Sequence, residues 1–392
     1  MWGDIAIAFM IAFMTAFMAT PYTIRFAKKV GAVDIPQDPR RINKVVMPRL
    51  GGLAVILGFF VSIIYLLIVM SIEKKIDILQ DELYLKLLGI LVGEIILGIT
   101  CFYDDVKGAP ALLKLSAQIL AGIVLVNCGI RIDHFDLGFI NVPASNTLFY
   151  DIFSVIWVVG ITNAMNLIDG LDGLSTGISI ISCISLLIIF ALNGSPLISI
   201  ILITSLCGSL VGFLPYNFNP AKTFIGDTGS NFLGYALSVI SILGVAKTYT
   251  AIVIVAPLIV LALPLFDTVF AIIRRVIKAK SLKAIMKPDA GHLHHKMLQK
   301  GFTQKQAVLI LYALSATFGM FAIILLDSGI WKALSFAIII GLIIAMGYKE
   351  FFKQRLLAED SNEAPTEEPH IEGQTTIEEY DNVENIEKYR KI

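Results

Sequence analysis

The chain has 392 residues, of which 56% are hydrophobic and only 16% charged, and its 31 basic and 31 acidic side chains cancel to a formal net charge of zero. That is too little charge to cover the surface of a water-soluble protein of this length, and no nucleic-acid partner is expected. The apolar residues instead cluster into runs of about 18–25, the length that crosses roughly 30 Å of hydrocarbon. The expected fold class is therefore an all-α polytopic integral membrane protein in contact with a lipid bilayer.

About eleven spans are predicted, near residues 4–24, 51–70, 86–103, 111–128, 150–167, 173–192, 196–214, 229–246, 250–273, 307–326 and 331–348. The first has no basic segment ahead of its apolar core and is followed by Arg25, Lys28 and Lys29, which favours an uncleaved span over a signal peptide. Lysine and arginine crowd the loops after the first and ninth spans, so both loops should be cytoplasmic, with the N-terminus outside and the C-terminus cytoplasmic. Arg131–Asp151 is the longest outer loop, and IRIDHFDLGFINVP within it suits a short surface hairpin. Pro264 interrupts the ninth span and should kink it. Cys101, Cys128, Cys183 and Cys207 lie in or beside apolar runs without C-x-x-C spacing and read as small core residues. Residues 1–350 form the expected membrane domain. Residues 351–392 form an acidic tail, expected to be disordered in the cytoplasm.

Three runs end in acids: at Asp104-Asp105, at Asp169 and Asp172, and at Asp227. Unpaired carboxylates are costly in hydrocarbon, so they belong at a boundary, in a cavity or on a cation. The count of spans brings all three ends to the inner face. In FYDDVKG (102–108) the adjacent aspartates cannot face the same way, yet both can approach a cation or a phosphate. Hard oxygen ligands of this kind suit magnesium, with manganese as the alternative.

In NAMNLIDGLDGL (163–174), Asn163, Asn166 and Asp169 make a polar stripe on a helix, and Gly170 and Gly173 let the backbone turn close to a ligand. Asn163 alone also fits a bond between helices. In PYNFNPAKTFIGDTGSNFLG (215–234), the residues from Gly226 to Ser230 open the eighth span, where N–H groups and the helix dipole favour an anion. Asp227 there also suits an N-cap, and Phe224 is placed to cover a planar base. Finally, PDAGHLHHKML (288–298) puts His292, His294 and His295 in the most basic loop. With no cysteine and no H-E-x-x-H arrangement, they suit phosphate oxygens better than zinc. Together these stretches describe a magnesium-dependent phosphate site at the cytoplasmic surface, open sideways to lipid. A secondary transporter is the alternative of a different class, but its acids would lie near the midplane between repeats.

These motifs, in this order, resemble the polyprenyl-phosphate N-acetylhexosamine-1-phosphate transferases (glycosyltransferase family 4) over roughly residues 1–350. PRLGG (48–52) and DAGHLHH (289–295) are similar to the WecA/TagO-type GlcNAc-1-phosphate transferases rather than to the MraY-type phospho-MurNAc-pentapeptide transferases. The resemblance implies a multi-pass enzyme of the cell membrane that moves GlcNAc-1-phosphate from UDP-GlcNAc to undecaprenyl phosphate. The products would be GlcNAc-PP-undecaprenol and UMP, at the start of a surface glycan. Another UDP-HexNAc or the phospho-MurNAc-pentapeptide donor is the alternative, and a homodimer is compatible. By motif matching, Asp227 would be the main magnesium ligand and Asn166 a second, with catalytic Asp104 and Asp105 near the metal and the lipid phosphate. Asp172, Gly170 and Phe224 would contact the uracil. Lys44, Asn163, Asp169 and Asn217 would lie in or near the donor pocket. His292, His294 and His295, with Arg274 or Arg275, would grip the diphosphate or the sugar. Lys296 stands where the MraY type has its third histidine, a departure that separates the two patterns.

Overall fold

The computed structural model describes residues 2–35, 45–73, 83–133, 145–245, 251–279 and 291–343. Long helices dominate: α1 (Trp2–Val30), α2 (Gly52–Ile72), α3 (Leu83–Lys107), α4 (Ala111–Asn127), α5 (Thr147–Ile168), α6 (Leu174–Leu192), α7 (Leu197–Asn217) and α8 (Gly226–Val245). They are followed by α9 (Ala251–Val260), α10 (Ala262–Ala279), the short α11 (Leu293–Gln299), α12 (Gln304–Ser328) and α13 (Ile330–Ile343). A two-residue ladder, β1 (Val33–Asp34) with β2 (Met47–Pro48), is the one β element among the described residues.

Within the described residues the predicted spans coincide with helices, the ninth with two of them, and seven helices there are long and apolar enough to cross a membrane. The chain is a multi-pass helical membrane protein. Its outer surface carries Met10, Met14, Ile64, Ile68, Ile99 and Phe270, the side chains a bilayer would solvate. The hairpin predicted around residue 138 and the acidic tail lie outside the described residues.

Helix packing is close because small residues line the contacts. Ala8, Ala12 and Ala16 repeat every fourth residue on α1 and are fully buried. Gly208 and Gly212 of α7 face them, where a Cβ would strike the carbonyls of Phe9 and Phe13. The α7 helix is the central post of the bundle, and the Ser62 and Ser205 hydroxyls meet at 3.0 Å between it and α2.

The ninth span breaks as expected, but the break lies at Leu261 rather than at Pro264, which sits in the first turn of α10. The cause is still Pro264. It has no N–H for the Val260 carbonyl four residues back, and its ring crowds that carbonyl.

The segment 48–52 is sewn to the start of α8. Phe224 N donates to Pro48 O (2.8 Å), Gly51 N to Phe224 O (3.0 Å) and Gly52 N to Ile225 O (2.9 Å). A Cβ on Gly52 would collide with Gly229, so the paired glycines of PRLGG are needed for close approach. The ends of α3, α5 and α7 and the starts of α2, α4, α6 and α8 thereby meet at one end of the bundle.

Candidate active site

The site is built on the N-terminus of α8. A helix start leaves N–H groups unpaired, and here a carboxylate from another helix takes them. Asp105, at the end of α3, accepts from Asp227 N (2.9 Å), Thr228 N (2.8 Å) and the Thr228 hydroxyl (2.7 Å). Asp105 therefore fills the anion position expected at the start of this helix, and it, rather than Asp227, caps the helix. Its side chain is fully buried and lies 3.6 Å from Arg49 Nε.

Asp227 projects from that first turn. Its Oδ1 accepts from Asn166 Nδ2 (2.6 Å), and its Oδ2 meets Arg49 Nη2 at 3.2 Å. Lys114 Nζ lies 3.6 Å from Asp227 Oδ1 and 2.7 Å from Asp104 Oδ2, so one ammonium bridges both acids. Asp104 Oδ1 accepts from Ala109 N (2.5 Å), which turns it away from Asp105. The two adjacent aspartates do face apart, as their spacing requires.

Asn166 also donates to Ser230 (2.9 Å). Asn163, one turn earlier, donates to Gln118 Oε1 (2.5 Å) and Val159 O (2.9 Å), and Gln118 donates to Asn231 Oδ1 (2.8 Å). Asn163 is thus absent from the pocket lining and joins α5 to α4 and α8, the reading that the sequence left open for it alone.

Beside Asp227 opens a pocket of about 370 Å³, lined by Asp34, Arg49, Asn166, Asp169, Gly170, Leu171, Asp172, Asn217, Phe224, Gly226 and Asp227. Its volume is in the range of small-ligand sites. Seven of its lining residues were expected from sequence. Asp172 is 4% exposed, with Oδ2 accepting from Asn219 Nδ2 (3.0 Å) and Ala221 N (3.2 Å). Its Oδ1 is buried without a hydrogen-bond partner. Such an orphan acceptor is costly unless a ligand N–H or O–H completes it. Asn217 spends its amide on Thr176 (2.7 Å) and Thr223 O (3.0 Å), so it shapes the wall of the pocket. Burial pushes the Asp169 carboxyl up to about 7; the Ser175 hydroxyl bound to it opposes the rise, and the Asp227 and Asp105 charges add to it.

The histidines stand behind one wall of the pocket and are absent from its lining. A Cβ on Gly170 would run into the His294 ring, so that imidazole packs directly on the pocket's glycine. His294 and His295 have ring centroids 4.3 Å apart, and His292 stacks on His294 at 5.8 Å. Burial, followed by the neighbouring His295 charge, lowers the His294 pKa to about 4. His292 Nδ1 lies 2.8 Å from Asp267 Oδ2, and Arg275 Nη2 is 3.5 Å from His292 Nε2. Arg274 lies against Gly291, at the entry to α11. Lys44 lies outside the described residues.

Sequence reasoning missed Asp34, Arg49, Lys114, Gln118, Asn231 and Asp267. Three of these carried a readable signal. Lys114 and Gln118 lie four apart inside an apolar span, and Asp267 is an acid inside another, so each needed a partner.

For a divalent ion, Asp227 offers its oxygens at the pocket with the Asn166 amide beside them, and Asp34 and Asp169 also line it. No group of three His, Cys, Asp or Glu is arranged to hold a metal among the described residues. One carboxylate, an amide and an open pocket fit magnesium, which binds through few protein ligands and completes its shell with water and phosphate.

A polar pocket with four carboxylates and Arg49 in its lining, at one end of a helical bundle, defines a class: multi-pass membrane proteins with a polar, ligand-sized site. Residues 87–245 match glycosyl transferase family 4. The chain is 38% identical over 344 residues to the probable undecaprenyl-phosphate N-acetylglucosaminyl 1-phosphate transferase of Bacillus subtilis, covering 87% of this chain and 90% of that protein. It is 30% identical over 332 residues to the decaprenyl-phosphate N-acetylglucosaminephosphotransferase of Mycobacterium tuberculosis, covering 79% of each. It is also 30% identical to the phospho-N-acetylmuramoyl-pentapeptide-transferase of Staphylococcus epidermidis, but over 59% of this chain and 74% of that one. The chain belongs to glycosyl transferase family 4, within its polyprenyl-phosphate N-acetylglucosamine-1-phosphate transferase branch.

Proposed function

We propose that the protein transfers GlcNAc-1-phosphate from UDP-GlcNAc to undecaprenyl phosphate, releasing UMP, as the initiating step of a cell-surface glycan. The observation that carries this reading is a single pocket with Asp227 among cations at one end and an unpartnered Asp172 oxygen at the other. The uracil takes the second end, where Asp172 Oδ1 accepts its N–H and Phe224 and Gly170 border the ring. The diphosphate then runs toward Asp227, Lys114 and Arg49. A phosphate oxygen of the lipid attacks the β-phosphorus, the α–β anhydride bond breaks, and UMP leaves with the bridging oxygen.

At neutral pH a phosphate monoester is already mostly ionised, so the attack needs orientation more than a strong base. Lys114 and Arg49 supply fixed positive charge where negative charge gathers, which is worth most in a water-poor site. Magnesium, when bound through Asp227 and Asn166, would neutralise further charge on the transferred phosphoryl group. Asp104 shares Lys114 with Asp227 and would stand near a metal held there, and Asp105 holds the helix that presents Asp227. The histidines and Arg275 grip the diphosphate or the sugar. In this reading eleven spans place the N-terminus outside and the site and C-terminus in the cytoplasm, where UDP-sugars are made.

The test is UMP release by purified protein with undecaprenyl phosphate and a series of donors. UDP-GlcNAc should give both UMP and a lipid-linked sugar. Preference for UDP-MurNAc-pentapeptide or another UDP-HexNAc would change the donor, and no lipid product from any donor would end the proposal.

A further inference from the structure

Asp267 is an acid inside the apolar helix α10, where a carboxylate persists only if something uses it. Both of its oxygens are used, and by one short segment. Oδ2 meets His292 Nδ1 at 2.8 Å, and Oδ1 accepts from Leu293 N at 2.9 Å. An ionised carboxylate can only accept, so His292 must carry its proton on Nδ1. That contact fixes the ring's tautomer and orientation and leaves Nε2 turned toward Arg275. The His292 ring stacks on His294 with a 9° angle between planes, and His294 rests on Gly170 of the pocket. His292 and His294 are both nearly fully buried, so neither ring has room to reorient. A displacement at Asp267 would therefore reach the pocket wall through one ring stack and the contact of His294 with Gly170.

We propose that Asp267 is a positioning residue for donor binding, which sets His292 Nε2 and, through the stacked ring of His294, the wall of the nucleotide-sugar pocket. The inference rests on the reading above that His292 touches the donor; with its proton on Nδ1, Nε2 can only accept, so its partner there is a sugar hydroxyl. Asp267 itself touches no substrate. Because it acts before and apart from bond breaking, its loss should weaken donor binding more than turnover.

The experiment is a cycle of Asp267→Asn, His292→Gln and the double variant in the full-length protein, measuring donor KM and kcat separately. Asn keeps the shape and one acceptor, and melting in detergent checks that each variant is folded. If Asp267→Asn does not fold, Asp267→Glu, which keeps the charge, carries the cycle. Asp267→Asn should raise donor KM on the order of tenfold with a smaller change in kcat, and Asp267→Glu should restore part of the loss. In the His292→Gln background the same change should have no further effect. The protein has five histidines, so 15N-histidine spectra can follow His292, whose Nδ1 signal should move in Asp267→Asn. Equal losses in both backgrounds, or an unchanged KM where His292→Gln raises it, would overturn the proposal and leave the donor reading standing. A silent His292→Gln would overturn the donor reading for His292, and the proposal with it.

Discussion

Two sides of the pocket use one device with different consequences. On the α3–α8 side, Asp105 holds the N-terminus of a 20-residue, deeply buried helix, and the residue so presented is Asp227. On the α10–α11 side, Asp267 holds a 7-residue helix, and the residue so presented is His292. In each case a carboxylate from one helix ties down the start of another, and the side chain proposed to act comes from the tied segment. The long helix is also fixed by packing along its whole length, whereas the short one packs through Met297 and Leu298 and is tied at its start by the carboxylate. The first arrangement suits an atom that must not move during chemistry. The second suits a contact that shapes a ligand wall.

Substitutions that separate the two sides sharpen this contrast. The largest effect is expected from Asp227→Ala, which should lower turnover by roughly a thousandfold or more. The protein should still appear in the membrane fraction in normal amount. Full activity at ordinary magnesium would remove Asp227 from the site.

Asp105→Ala should differ in kind from Asp104→Ala. The first leaves the buried N–H groups of Asp227 and Thr228 without their acceptor, while Arg49 keeps Asp227, and should cost about 1–3 kcal/mol of stability, seen as a lower melting temperature, along with activity. Loss of Asp104 should impair activity with a smaller change in melting, because Lys114 keeps Asp227 as a partner. Equal melting of the two variants would contradict the distinct roles. Asp172→Asn should raise donor KM on the order of tenfold to a hundredfold with less effect on kcat, since it replaces a charged acceptor at the ligand's edge. A change confined to kcat would place Asp172 with the chemistry instead.

The smallest effect concerns pH. His294 has its pKa lowered to about 4 by burial and then by its histidine neighbours, so it is neutral throughout pH 6–8. Its contribution to stability is full above the ordinary histidine value and is lost as pH falls toward 4. His294→Gln should therefore leave the shape of the pH profile between 6 and 8 unchanged while lowering its height, as rate measurements across that range would show.

The polar stretches of the sequence located most of this site because acids and asparagines inside apolar runs are conspicuous. Asp169, Asp172 and Asp227 could be singled out without a fold, since hydrocarbon penalises each of them. What the chain could not disclose was which polar groups pair with one another. Asn163 and Asn166 are three residues apart on one helix. Yet Asn163 bonds to Gln118 while Asn166 reaches Asp227, a difference set by the rotation of α5 against α4 and α8. Asp105 likewise looked like its neighbour Asp104, and only the approach of α8 from far along the chain distinguishes them. The break in the ninth span was attributed to the correct residue but placed a few positions late, because proline acts on the carbonyl one turn before it.

The central claim is that the sugar leaves UDP together with its phosphate and arrives on the lipid. UDP-GlcNAc labelled with 32P at the β-phosphate tests it most directly, with purified protein, undecaprenyl phosphate and magnesium. The label should pass into the organic phase as a lipid diphosphate while unlabelled UMP accumulates in equal amount. Label retained in water-soluble UDP while the sugar moved, or no lipid label with active controls, would contradict the account.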